Sequence, residues 1–201
     1  METPADSSSE TKGAQTRRAI LDSAITRFGR DGFRSTSVAD IARDAAVGGT
    51  VAYAYFPSKE ALFLAAVDED AAGIIDEGLS QVLADPKIRN WRETLIFTLV
   101  DAVERHPLAK RLLAGLEPEV TVRVLEIPAL NELRKACTER LRTEQAAGTI
   151  RPDIDPQSIA NGIVALMLSL LMSVVQLGSQ AAVAYSRDVA AVFEAALDPT
   201  P

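Results

Sequence analysis

Residues 45–62 read AAVGGTVAYAYFPSKEAL, a helix written in letters that suit helices badly. Two adjacent glycines open the run, tyrosines alternate through it, and Phe56-Pro57-Ser58-Lys59 closes it. Pro57 stops one helix and Ser58 caps the next. Ala46-Val47-Gly48 forms a tight turn, after which a short helix runs to about Phe56. Either Gly48 is its N-cap or the two glycines extend the turn and Thr50 caps it. A glycine kept inside a helix costs about 1 kcal/mol relative to alanine, which favours the later start.

Upstream, Ser37 is a good N-cap for a short helix that turns Val38, Ile41, Ala42 and Ala45 inward. Before it, Ile20, Ala24 and Phe28, with Leu21 and Ile25, recur at the spacing of one helical face. Gly29 and Gly32 are expected to end that first helix. Two short helices joined by a glycine-containing turn, the second presented to solvent, match a helix-turn-helix.

With these residues in place, the region 16–67, which contains RRAILDSAITRFGRDGFRSTSVADIARDAAVGGTVAYAYFPSKEALFLAAV (17–67), resembles the DNA-binding region of the TetR/AcrR family of transcriptional regulators. GFRSTSVADIA and YFPSKEAL carry the match. The resemblance implies a homodimer whose large variable domain binds a small molecule that weakens DNA binding. By position, Gly49, Thr50, Val51, Tyr53 and Tyr55 fall on the recognition helix, and Ser37 and Lys59 match phosphate contacts. The chain departs from the family in having Gly48 before that helix, where serine is common, and Thr50 within it, where glycine is common.

The residues support part of this independently. Lys59 stands at a helix N-terminus, where backbone N–H groups and a cation suit a phosphate. Residues two apart on a helix face different ways, so Tyr53 and Tyr55 cannot both point inward. Ala52 and Phe56, four apart, are the expected core pair, leaving Tyr53 on the outer face with Gly49 and Thr50. Tyr55 is divided between packing on the first helix and touching DNA. From Ala46 to Phe56 there is no Arg, Lys, Asn or Gln, the side chains that make bidentate bonds to guanine or adenine. Sequence reading then falls to Thr50, the tyrosine hydroxyls and apolar contact with thymine methyls by Val51 or Ala54. Arg43, Arg34 and an arm from Lys12 to Arg18 are expected on phosphates or in the minor groove, with part of the specificity indirect.

Charge divides the chain the same way. The 201 residues carry a formal net charge of −7, yet residues 11–59 hold eight Lys/Arg against four Asp, and residues 61–201 hold 13 basic against 20 acidic side chains. A phosphate-binding surface can only sit at the front. The polar, acidic start, METPADSSSE, reads as a disordered tail (residues 1–10) without the apolar core of a signal peptide. One cysteine, Cys137, excludes an internal disulfide, and with a single histidine, His106, it cannot form a Cys/His zinc site. No cofactor is expected, and a reducing cytoplasm suits the chain.

The remainder reads as helices, making an all-α chain: a helix-turn-helix unit over 11–57 and a larger ligand-binding and dimerisation domain over 58–201. A fourth helix reaches about residue 84, and Trp91–Val103 is apolar on nearly every side. Pro107 and Pro128 fit the first positions of two further helices, the second ending near Gly148. EVTVRVLEI between them alternates valines, but a lone strand would lack a partner, so a short helix is preferred. Asp155-Pro156 opens a helix to about Gln176, and a last helix spans about 185–197.

Residues 159–178 are apolar enough to raise a membrane span, but Asn161 and Gln176 and the lack of flanking basic clusters argue against it. Gly162, Ala165, Ser169, Ser173 and Gln176 form one small or polar stripe, which permits close packing on a partner helix. The resemblance implies that the last two long helices form the dimer interface, a role this stripe suits, with recognition helices about 34 Å apart or somewhat more over an inverted repeat. Trp91, Phe97, Thr98, Met167 and Met172 are candidate pocket walls, Arg123 and Glu126 could orient a ligand, and the abundance of aliphatics points to a hydrophobic effector. His106 is read as exposed or capping.

These readings converge on a transcriptional regulator, a repressor, that binds a double-stranded operator as a homodimer and is released by a small molecule. An activator of the same fold is the alternative. An enzyme lacks a nucleophile set, a phosphate-cradling loop and a metal cluster. A helical adaptor without DNA binding would not need the basic front.

Overall fold

A computed structural model of the chain describes residues 6–84, 90–118, 125–178, 189 and 191–198. The fold is all-α, and no strand occurs among the described residues. The helices are α1 (Asp6–Ser35), α2 (Val38–Asp44), α3 (Gly49–Tyr55), α4 (Lys59–Ala84), α5 (Trp91–Val103), α6 (Pro107–Leu113), α7 (Pro128–Ala146) and α8 (Pro156–Leu177). Residues 191–197 are helical as well. The alternating valines at 120–124 and the expected helix start at 185 lie outside the described residues.

Most boundaries follow from local chemistry. Ser37 caps α2 by accepting the Asp40 N–H, Ser58 accepts the Ala61 N–H at the start of α4, and Asp155 accepts from Gln157 and Ser158 at the start of α8. Pro107, Pro128 and Pro156 stand in first turns, where the missing N–H has no cost.

Three expectations at the front are corrected. Helix α1 begins at Asp6, within the expected tail. Gly29 does not end α1. It lies inside the helix, because a Cβ there would stand 2.9 Å from Cβ of Pro107 and 3.1 Å from the Leu108 nitrogen; the glycine lets α6 approach. Gly32, at φ +82°, makes the break.

The third concerns α3, the expected recognition helix, which starts at Gly49 with Gly48 as N-cap, not at the favoured Thr50. The Gly48 carbonyl accepts the N–H groups of Val51 and Ala52, so the glycines sit at the helix mouth, where the interior penalty does not apply in full. The left-handed residue of the preceding turn is Ala46, at φ +54°.

One continuous core runs from Ile20, Phe28, Ile41 and Ala52 through Leu62, Phe63 and Ala66 to Leu95, Leu133, Ile163 and Met167. Phe28, Phe33 and Phe63 meet with edge contacts of 5.0 Å between centroids, joining α1 to α4. Helix α4 thus belongs to both parts of the chain. Its carboxylates also cap two later helices: Asp68 accepts the Ala129 N–H at the start of α7 (2.9 Å), and Asp70 accepts the Leu108 and Ala109 N–H groups at the start of α6.

Helix α8 is long and apolar enough to cross a membrane by length and composition. Its Ile163, Val164, Met167 and Leu171 face is buried in the core, and Leu166 and Met172 are exposed on the other side.

Candidate nucleic-acid interface and interior cavity

Helix α3 places its side chains as the one-face argument requires. Ala52 and Phe56 are buried, while Thr50 and Ala54 are exposed and Gly49 is half-buried. Val51 is 41% exposed, Tyr53 53% and Tyr55 37%. Tyr55 is divided between its two expected roles: a Cβ at Gly13 of α1 would lie 3.5 Å from its hydroxyl oxygen, yet much of the ring is open. The Arg17 guanidinium stands 5.4 Å from the centroid of the Phe56 ring, next to this face.

The basic residues around α3 are more engaged with protein than the sequence suggests. Arg43 pairs with Asp40, which also accepts from the Ser37 hydroxyl at 2.7 Å. That Ser37 bond, ahead of Arg43, holds the Asp40 carboxyl below its usual range. Arg27 grips Asp44 through two bonds of 2.5 and 3.1 Å, which likewise depresses the Asp44 carboxyl. Residues 12–18 are part of α1 rather than an extended arm, and Arg18 reaches Asp22 and Glu69.

Lys59 is half-buried at the start of α4. Its ammonium lies 4.6 Å from the Phe33 ring centroid and donates to the Arg34 carbonyl at 3.3 Å. It therefore fastens the end of α1 to α4 while standing at a helix N-terminus that can also meet a phosphate.

Behind the interface lies a cavity of about 90 Å³. Val67, Ala71, Ile74 and Ile75 of α4 form one wall, Leu99 of α5 and Ala109, Leu112 and Leu113 of α6 a second. Ile127, Leu130 and Leu133 beside and on α7, with Val164, Met167, Leu168 and Leu171 of α8, complete it. Of the residues expected to line a pocket, Met167 is present. Trp91 is buried elsewhere, donating to Glu144 at 2.7 Å beside Arg92, whose guanidinium burial pulls below its ordinary value. Phe97 and Met172 are exposed, Thr98 donates to the Thr94 carbonyl within its own helix, and Glu126 is exposed. Arg123 lies outside the described residues.

His106 has more to do than cap. Its Nδ1 is 2.9 Å from Asp70 and its Nε2 is 3.2 Å from Glu77, and its ring packs against Gly73 of α4. Glu117 accepts from the Phe33 backbone N–H at 3.1 Å and from Arg111 at 2.7 Å, tying α6 to the end of α1. These long-range contacts carry no local signature. Cys137 is buried, and that burial pushes its thiol up to about 12. Among the described residues, no cluster of side chains could hold a metal ion.

Comparisons with known proteins agree with this geometry. Residues 20–66 match the family described as bacterial regulatory proteins, tetR family. The chain is 25% identical over 178 residues to the HTH-type transcriptional regulator YdgC of Bacillus subtilis, covering 82% of this chain and 83% of the relative. A TetR-family transcriptional regulator from Pectobacterium atrosepticum superimposes with a TM-score of 0.75 at 14% identity, covering 93% and 96% of the two chains. Thermus thermophilus FadR, a transcriptional repressor solved with lauroyl-CoA, gives 0.64 at 23% identity, covering 89% and 93%.

Proposed function

We propose that this chain is a DNA-binding transcriptional regulator of the TetR family, a repressor that binds an inverted-repeat operator as a homodimer and is released by a small molecule. The observation that carries the reading is the position of α4. It starts at Lys59 against the DNA-binding unit and lines the apolar cavity with Val67, Ala71, Ile74 and Ile75. Lys59 and Val67 are separated by eight residues of one helix, a rise of about 12 Å. A ligand that shifts α4 from the cavity side moves Lys59 and α3 with it, and changes the separation of the two recognition helices. Such a ligand must bind the two states with different affinity.

Homodimerisation is supported by the outward face of α8. Gly162, Ala165 and Ser169 are exposed together with Leu166 and Met172. Ser169 and Ser173 donate their hydroxyls to carbonyls one turn back within α8 (3.0 and 2.9 Å), so the face is effectively apolar. Val192, 59% exposed in the terminal helical residues, supports pairing through the last two long helices. Gln176 takes a different part, donating to the Leu113 carbonyl of α6 at 2.8 Å. A FadR solved with lauroyl-CoA and a regulator solved with choline support an effector-binding role for the larger domain.

On DNA, Ser37, Arg43 and Lys59 position the protein on phosphates, while Gly49, Thr50, Val51, Tyr53 and Tyr55 face the groove. Selection of bound sequences from random duplexes at two salt concentrations tests the reading. The expected result is an enriched inverted repeat whose affinity falls with salt; no enrichment at either salt overturns it. Tyr53→Ala should keep the fold and lose operator affinity.

A further inference from the structure

We propose that α3 reads its operator chiefly through the C5-methyl groups of pyrimidines, so that 5-methylcytosine at a contacted position serves as thymine does and cytosine methylation strengthens binding there. The proposal rests on the DNA-binding reading above and specifies what that face recognises. Ala52, fully buried, fixes the inward direction of α3. Thr50 and Ala54, two residues to either side, are each turned roughly 200° from it about the helix axis and stand outermost. Both are exposed. Val51 and Tyr53 flank them and are exposed as well. The outward face therefore offers the methyl groups of Thr50, Val51 and Ala54, with the Thr50 and Tyr53 hydroxyls as its polar groups.

No Arg, Lys, Asn or Gln stands between Ala46 and Phe56 to make paired bonds to guanine or adenine. Forked cations of the unit lie on other helices and are engaged with protein, Arg43 of α2 with Asp40, Arg27 of α1 with Asp44 and Arg17 of α1 with the Phe56 ring. Small side chains let α3 seat deeply, and Gly49 extends that property. Neither packing nor backbone conformation within the chain calls for a glycine there: a Cβ would meet nothing within 4 Å, and its φ lies outside the left-handed region. The space left by the missing side chain admits the wall of a groove. In the major groove the apolar feature of a base edge is the C5-methyl of thymine, which alanine and threonine methyls meet by contact. 5-Methylcytosine carries its methyl on the same ring carbon. A face that reads methyls accepts both bases, whereas one that reads the thymine O4 acceptor or the cytosine N4 donor separates them.

The test uses the full-length protein and its selected operator, with thymine, uracil, cytosine and 5-methylcytosine placed in turn at each pyrimidine of both half-sites and the paired base matched. Fluorescence anisotropy reads affinity. Uracil in place of thymine removes the methyl alone. The expected loss is about fourfold for each contacted methyl, or about fifteenfold over the two half-sites, the ratio given by burial of one methylene-sized group. At such a position 5-methylcytosine should bind more tightly than cytosine by the same factor. Thr50→Ser, Val51→Ala and Ala54→Gly each take methyl carbon from the exposed face, and the uracil penalty should fall below about twofold in at least one of them. Should Ala54→Gly loosen this short helix, the other two variants and the four-base comparison still decide. A uracil penalty unchanged in every folded variant overturns direct contact and assigns the effect to DNA shape. Thymine and uracil binding alike throughout, or cytosine and 5-methylcytosine binding alike where uracil costs affinity, overturns methyl recognition while the selected operator still upholds DNA binding. Failure of the DNA-binding reading appears separately, as the absence of a selected operator.

Discussion

Oδ1 of Asp70 lies 2.9 Å from Nδ1 of His106, and the other oxygen of the same carboxylate accepts the Leu108 and Ala109 N–H groups at 3.0 and 2.8 Å. One buried side chain on α4 thus satisfies the N-terminus of α6 and orients the ring that precedes it. Asp70→Ala leaves two backbone donors and an imidazole without their acceptor. The expected loss is about 2–3 kcal/mol, since each orphaned buried group costs roughly 1–3 kcal/mol. In a chain of this size that lowers the melting temperature by roughly 2–4 °C per kcal/mol. Urea unfolding checks it, and a loss below about 0.5 kcal/mol would refute the capping role.

Ala46 holds φ at +54° in the turn before the recognition helix. A Cβ in that conformation costs roughly 1–2 kcal/mol, and glycine removes the strain while adding freedom to the unfolded chain. Ala46→Gly should stabilise the protein by about 0.5–1 kcal/mol. Because Ala46 is exposed, operator affinity should stay within twofold or so. Chemical denaturation decides the sign; a destabilised variant would show that the turn needs the Cβ.

The outcome at Ala46 also shows where sequence reading reaches its limit. Caps, helix-starting prolines and apolar spacing act within a turn or two, so Ser37, Ser58, Asp155 and the Ala52–Phe56 pair could be read directly. Gly29 reads as a terminator until Pro107, far along the chain, is seen against it. Asp68, Asp70 and Glu117 act on backbone groups 61, 38 and 84 residues away, and no spacing rule announces that. The cavity followed the same pattern. A lone tryptophan looked like a pocket wall, but Trp91 finds its partner in Glu144, and the walls are ordinary aliphatic residues indistinguishable from core by composition.

Lys59 separates two roles that one residue performs. Its contact with the Phe33 ring and the Arg34 carbonyl stabilises the junction of α1 and α4, and in the proposed function its charge serves a phosphate. Lys59→Met keeps the stem and removes the charge. Stability should fall by about 0.5–1 kcal/mol. The slope of log affinity against log salt should become shallower by about one unit. A measured slope equal to that of the unaltered protein would make Lys59 a strut and no more.

The face of α8 gives the sharpest test of assembly. A two-fold interface brings each position on one protomer near its own copy on the other. Ser169 sits in the middle of the exposed small-residue stripe, with its hydroxyl turned back to the Ala165 carbonyl and nothing polar offered outward. Ser169→Arg would bury two like charges in an apolar contact, where an uncompensated charge costs roughly 3–5 kcal/mol. The dimer dissociation constant should rise at least about a hundredfold, or about 2.7 kcal/mol. Circular dichroism should be unchanged, because the site is solvent-facing in the protomer. Asp22→Arg on the exposed side of α1, a helix that contributes nothing to this stripe, serves as the control and should leave assembly intact. Sedimentation of both variants decides the matter: a Ser169→Arg protein that remains dimeric would place the interface on another surface, and would require the half-site spacing on the operator to be derived anew.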